Sequence, residues 1–179
     1  GNPEGASTIV TQLDSDGTGP RRFGKQVVVG NTNVGDFDKI PAQVRRSIDA
    51  EVGLAYDRSG GPYTGRVYMV YTDESPDESN NTDIFLRYSD NDGQSWSPPV
   101  RVNDDSTVNS QFFPRIAVDA VTGNVAISWY DGRNDTGVTG SGSKDLVANN
   151  DVQFYGVVGS PTADGVQLSA NVQITAGVS

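Results

Sequence analysis

Two short stretches concentrate the side chains that could do chemistry. One is Phe112-Phe113-Pro114-Arg115-Ile116-Ala117 and the other is Trp129-Tyr130-Asp131-Gly132-Arg133-Asn134-Asp135. Arg115 offers a planar guanidinium fork that fits a carboxylate, and Asp131 is a carboxylate that can trade a proton. These two are the candidate catalytic residues. Phe112, Trp129 and Tyr130 supply flat apolar faces and Arg133 a second cation, so Phe112, Arg115, Trp129, Tyr130 and Arg133 form the candidate ligand-binding set. Each group also has a structural reading. Arg115 enters a predicted strand, where pairing with a neighbouring carboxylate is ordinary, and Asp131 with Arg133 can set the loop that follows.

The residue types that are absent narrow the chemistry further. The chain has no His and no Cys, which excludes imidazole acid–base work, His-based triads, thiol nucleophiles and disulfides. Carboxylates, phenols, guanidinia and hydroxyls remain, along with a hard cation held by oxygens. Asp14-Ser15-Asp16-Gly17 and Asn103-Asp104-Asp105 are the oxygen-rich turns, so Asp14, Asp16, Asp104 and Asp105 are the candidate metal ligands and calcium the ion they suit. Neither completes an EF-hand, since Gln12 and Phe23 stand where the first turn would need acidic side chains. No cofactor is required by anything in the sequence.

The elements that would position these groups are strands. Apolar residues make up 35% of 179 residues and Gly contributes 21; strand-like alternation broken by Gly, Asn and Asp recurs along the chain, the pattern of an all-β protein. The net charge of −10 disfavours nonspecific binding to nucleic acid or to anionic lipid, and no apolar run reaches membrane-spanning length. The chain begins at Gly1 without a secretory signal or lipidation motif, as a processed or partial chain would. One helix is expected between Asn33 and Ala50, where Ile40, Val44 and Ile48 recur at a spacing of four with Pro41 near the start.

The strands repeat. Val52–Asp57, Arg66–Asp73, Asp83–Tyr88 and Val100–Asn103 form one set of four. Arg115–Asp119, Asn124–Asp131, Asp151–Tyr155 and either Val166–Leu168 or Asn171–Thr175 form the next. Ser7–Thr11 and Val27–Asn31 read as the last two strands of an earlier set. Four short antiparallel strands per repeat is the blade of a β-propeller. The expected division is a partial blade over 1–32, a connecting segment over 33–50, a blade over 51–105, and a blade with a long Gly/Ser loop (Gly137–Ser143) over 106–179. About two and a half blades fall short of the four or more that close a propeller. The fold class expected is therefore all-β, with propeller-like four-stranded antiparallel blades left incomplete within this chain, to be completed by further blades or by oligomerisation.

One hairpin turn carries a recognisable motif. Ser89-Asp90-Asn91-Asp92-Gly93-Gln94-Ser95-Trp96 joins two predicted strands. Its spacing resembles the Asp-box, or BNR repeat, of sialidase-like β-propellers, with Asn91 in the place usually held by Asp and Asp92 beside it. Ser89, Asn91, Asp92, Gly93 and Trp96 are its structural residues. Asn91 or Asp92 would accept bonds from turn amides, Gly93 would take positive φ, and the Trp96 ring would fold beneath the hairpin. Full burial of that ring would make its loss cost about 3–5 kcal/mol.

The resemblance implies a glycoside-hydrolase-like site, with an arginine cluster gripping a carboxylate, an acidic acid/base and a Tyr–Glu nucleophile pair. Arg115 lies in a stretch similar to that family's Phe/Tyr-Arg-Ile-Pro motif, except that Pro114 precedes the arginine. Glu51 and Tyr56, five apart on one strand, would point to opposite faces and form no such pair. What the resemblance implies is a secreted or cell-surface, glycan-associated protein that binds or hydrolyses carbohydrate, its partner a glycan or an extracellular protein. The competing expectation is a non-catalytic structural, adhesion or self-assembling propeller module. Arg115 and Asp131 would face the central site in the first case.

Overall fold

The computed structural model describes residues 6–19, 23–35, 38–43, 45–75, 81–135 and 151–177; the Gly/Ser loop at 137–143 lies outside them. The described chain is all-β. Strands β1 (Ser7–Thr11) and β2 (Val27–Thr32) form a two-stranded sheet, the first of three. The second sheet runs β3 (Gly53–Tyr56), β4 (Val67–Glu74), β5 (Thr82–Ser89), β6 (Val100–Arg101) in that order. The third runs β7 (Gln111–Val118), β8 (Val125–Asp131), β9 (Gln153–Thr162), with β10 (Gly165–Leu168) and β11 (Val172–Gln173) both on the far edge of β9. All pairings are antiparallel.

Both candidates for the fourth strand of the last repeat are therefore used, one after the other. The same bond pattern marks the fourth position of each repeat. The Ser97 and Val102 amides donate to Tyr88 and Ile84 carbonyls at 2.8 Å, as Ser169 and Ile174 amides do to Val158 and Phe154 at 2.9 and 2.7 Å.

The sheets stack face to face, with the second in the middle. Its β4 strand shows why the sequence there is an unbroken apolar run. Tyr68 and Val70 pack with Ile84, Leu86, Val125, Ile127, Trp129, Tyr155 and Val157 between the second and third sheets. Met69 and Tyr71, pointing the opposite way, pack with Ile9 and Val29 of the first. A strand covered on both faces needs no polar alternation. The stack does not close. Val10 and Val28 on the outer side of the first sheet are exposed, as are Val158, Val172 and Ile174 on the outer side of the third.

Among the described residues of 33–50, the expected helix is absent. The segment makes a single 3-10 turn at Pro41–Gln43, and the Ile48 amide donates to the Asp38 carbonyl at 2.7 Å, closing it as a loop. Ile40 and Ile48 still reach the interior, beside Val34, Phe112 and Val152. Burial of those residues set the sequence spacing, and a short loop satisfies it without the cost of nucleating a helix in a segment with β-branched residues and Pro41.

Candidate functional site

The innermost strands β3 and β7 carry the site built around Arg115. Arg115 pairs across the ladder with Ser128, the place that Gly53 takes opposite Val70 in the preceding sheet, so its side chain is particular to the third sheet. Phe113 sits at φ 56 where the β7–β8 register slips between Phe112 and Arg115, and Pro114 within that slip has no amide to pair. Glu51, just before β3, is held at φ 49. Positive φ in residues other than Gly, Asn or Asp is uncommon, and such strain gathers at functional sites. The two strained residues bracket one ion pair: Arg115 Nη1 lies 3.7 Å from Glu51 Oε2. The arginine side chain is 68% exposed and donates at 2.8 Å to the Pro114 carbonyl.

Aromatic rings gather on the same strand as Arg115 and on its neighbours. Phe112 is buried and stacks on Tyr130 with centroids 5.6 Å apart. Phe113 and Phe154 meet Tyr130 edge-on at 6.4 and 5.3 Å. Tyr130 itself is 40% exposed and forms the outer surface of the ledge. Beyond it lies a trough of about 400 Å³ on the outer face of the third sheet, with Arg115 at one side, Ser128 and Gly156 in its lining, and Val172 and Ile174 opposite.

Asp131, the other catalytic candidate, is sealed away from this rim. It is 0% exposed. One oxygen accepts from Gln111 Nε2 at 3.2 Å and from the Arg133 amide at 2.8 Å; the other accepts from Trp129 Nε1 at 2.7 Å and Arg133 Nε at 3.0 Å. A carboxylate with both oxygens taken in this way is a structural anchor. Trp129 is wholly buried in the core and likewise cannot meet a ligand.

Arg133 is a clamp between sheets. Its guanidinium reaches Asp104 Oδ1 at 2.7 Å, Asn171 Oδ1 at 2.9 Å and Asp131 Oδ2 at 2.8 Å, and lies 4.2 Å above the Tyr155 ring. Burial opposes its charge, but the bonds from Asp131 and Asp104 prevail and hold it more firmly protonated than a free arginine. The preceding interface uses the equivalent acid. Asp73 accepts from the Asn33 amide at 2.7 Å and from Thr32 Oγ1 at 3.1 Å, tying the first sheet to the second. Arg66 clamps the opposite end, with Asp90 on its Nε at 2.6 Å and the Thr162 and Gly165 carbonyls both at 2.9 Å.

The candidate metal ligands are engaged by protein donors. Asp14 accepts from the amides of Asp16, Gly17 and Gly19, and Asp16 from Thr18. The hydrogen bonds from Thr18 hold Asp16 below the usual carboxylate range. Asp104 is bound by Arg133 and the Asn171 amide, and Asp105 by Asn103 and Thr107. For Asp104, partial burial pushes upward, but the Asn171 amide and Arg133 outweigh it and lower its pKa. Among the described residues no three carboxylates gather as a metal site would need.

Within the eight-residue turn the side-chain acceptors for backbone amides are Asn91 and Ser89, whose Oγ takes the Gly93 amide at 2.9 Å, while Asp92 accepts from Tyr56 outside it. Asn91 Oδ1 takes bonds from Ser89 Oγ at 3.0 Å and the Ser95 amide at 2.9 Å, while Asn91 Nδ2 donates to Ser95 Oγ at 2.8 Å. Asn serves there because the turn uses a carbonyl oxygen and no charge. Asp92 and Gly93 take the positive φ values, 55 and 76. Trp96 is half-buried, lying near Gly93 and packing against the core between the first and second sheets, with its Nε1 3.4 Å from Thr11 Oγ1.

Sequence reasoning singled out Phe112 and Tyr130, which stack, and Arg115, which lies on the same strand as Phe112. It missed Glu51, Phe113 and Phe154 as their neighbours. Glu51 is distant in sequence, and the register slip that turns Phe113 leaves no compositional mark.

No family model matches the chain, and no curated protein sequence matches it. Among solved structures it is similar to one titled "Hadza microbial sialidase Hz136", with a TM-score of 0.46 and 18% sequence identity, over 86% of this chain and 32% of that one. This chain thus spans about a third of the length of that protein. A likeness of this degree assigns neither fold nor activity, and the architecture rests on the sheets described above.

Proposed function

We propose that this chain is an exported, glycan-binding module that grips a carboxylate-bearing sugar at the rim of Glu51, Phe113, Arg115 and Tyr130. The observation that carries the reading is the exposed Arg115 guanidinium, on a strand with strained backbone and neighbouring aromatic rings, whose carboxylate partner Glu51 stands off at 3.7 Å while the Pro114 carbonyl takes one bond. An exposed pair of that length is worth about 0–1 kcal/mol. A ligand carboxylate arriving in a two-pronged geometry competes with it readily. The exposed Tyr130 face suits the apolar side of a sugar ring.

Hydrolysis is not part of the proposal. Glycosidases use two carboxyl groups about 5–9.5 Å apart across the scissile bond. Here Glu51 is the carboxylate beside Arg115, and Asp131, the other candidate, is enclosed by Gln111, Trp129 and Arg133. Calorimetric titration with sialylated and uronate-containing oligosaccharides, against neutral counterparts of the same length, tests the reading. The acidic sugars bind and the neutral ones do not. Arg115→Ala weakens binding at least about tenfold, equal to 1.4 kcal/mol, and Glu51→Gln strengthens it by freeing the guanidinium. Equal binding of neutral and acidic sugars, or indifference to Arg115→Ala, overturns the proposal.

A further inference from the structure

The interior of this protein contains the same interface twice. The first sheet gives Ile9 and Val29 to the second, and the second gives Tyr68, Val70, Ile84 and Leu86 to the third. Each time a polar tie joins the last strand of one sheet to the end of the next sheet's second strand: Thr32 and Asn33 to Asp73, and Asn103 to Asp131 through Gln111. The third sheet carries the same face onward. By register, Ser128 and Gly156 take the places of Val70 and Leu86, and Val172 that of Val100. Nothing in this chain covers that face among the described residues. Val158 is 52% exposed, Val172 61% and Ile174 58%.

A matching face lies at the other end of the stack. Val10 and Val28 form one cross-strand pair on the outer side of the first sheet, at 39% and 65% exposure. The opposite side of that sheet, with Ile9 and Val29, is packed on the second. The three sheets of the described residues thus present two unlike apolar surfaces related by the stacking operation that they already obey twice.

We propose that the outer face of the third sheet, centred on Val158, Val172 and Ile174, docks the outer face of the first sheet, Val10 and Val28, of a second copy of this chain. The contact is head-to-tail. Such contacts either close into rings or run on as filaments, and two copies bring together six sheets, within the range of about four to eight that closes a propeller. The docking surface on β9 and β11 and the sugar-binding rim on β7 lie on one face and line one trough, two and three strand spacings apart at about 4.8 Å each; the mass of the sugar-free protein tests the first, and sugar binding by the dilute single copy tests the second.

Light scattering behind size exclusion, over a hundredfold range of concentration, reads the mass directly. The parent chain gives twice the 19.0 kDa of one copy, shifting towards one copy on dilution. Val158→Glu alone and Val28→Lys alone each give a single copy, with an unchanged β-type circular dichroism spectrum showing that both fold. An equimolar mixture of the two variants regains the double mass, because the intact tail of one meets the intact head of the other. A parent that stays single at every concentration overturns the proposal. So does a Val28→Lys variant that keeps the double mass, since that result belongs to a symmetric contact between two third sheets.

Discussion

Arg133 joins Asp131 and Trp129 at the end of β8 to Asp104 and Asn171 on neighbouring elements. What it contributes is set by Asp131, which is fully buried and has no water to turn to. Removing one member of a buried pair leaves the other charge uncompensated and costs about 3–5 kcal/mol. Arg133→Met is expected to lose that much in urea unfolding, and Arg133→Lys to recover little of it, because an ammonium cannot fork onto Asp131, Asp104 and Asn171 together. Arg115→Ala, with its side chain in solvent, should change stability by less than about 1 kcal/mol in the same assay. Asp83 supplies a pH test. Burial raises its pKa above the ordinary 3.8, and bonds from Asn103 and Arg101 only partly offset this. The folded state therefore binds the proton more tightly than the unfolded state. Asp83's contribution to stability is complete below about pH 4 and is lost as pH rises through its raised folded pKa. Asp83→Asn mimics the protonated form. The variant should match the parent at pH 4 and exceed it increasingly towards pH 7; a gap that opens in the acid direction instead would show the ion pair with Arg101 outweighing burial.

The turn from Ser89 to Trp96 shows what one short element can and cannot announce. Its hydrogen bonds are local, and the sequence indicated them down to the role of Gly93. The Trp96 ring is only half-buried and spends its apolar surface on the first sheet near Thr11. Trp96→Ala is therefore expected to cost about 2 kcal/mol, below the 3–5 of a core aromatic. The loss should appear as loosening of β1 and β2 before β5 and β6, read by amide exchange. The same division between local and distant causes explains the rest. The alternation of β8 was legible because one face meets the core and the other does not. The fully apolar stretch of β4 became intelligible only with a sheet on each side. The Asn33–Ala50 segment has the spacing of a helix and the structure of a loop, because its isoleucines answer to Phe112 and Val152 rather than to a helix axis. Asp131 drew notice as a carboxylate near an arginine, but its partners Gln111 and Trp129 and the clamp to Asp104 and Asn171 depend on how two sheets meet, which no local pattern records.

Across the whole molecule, stability should follow position in the stack. The second sheet is packed on both faces, and Tyr68, Met69, Val70, Tyr71 and Thr72 of β4 are all sealed from solvent. Its central strands β4 and β5 are bonded along both edges. The first sheet has two strands, one covered face and an exposed Val10–Val28 pair on the other. Regions with few buried contacts and open backbone edges unfold locally at lower free energy than the core. Native-state hydrogen exchange on dilute, single-copy protein should accordingly find the amides of β1 and β2 opening first and those of β4 and β5 last, near the global unfolding limit, with β7 to β9 between them. Equal protection of β1 and β4 would mean that the ties from Thr32 and Asn33 to Asp73 make the first sheet inseparable from the second. Raising the protein concentration then separates intrinsic stability from assembly. If a second copy covers Val10 and Val28, protection of β1 and β2 rises with concentration in the parent and stays low in Val28→Lys, while β4 and β5, already enclosed on both sides, exchange at the same rate in both.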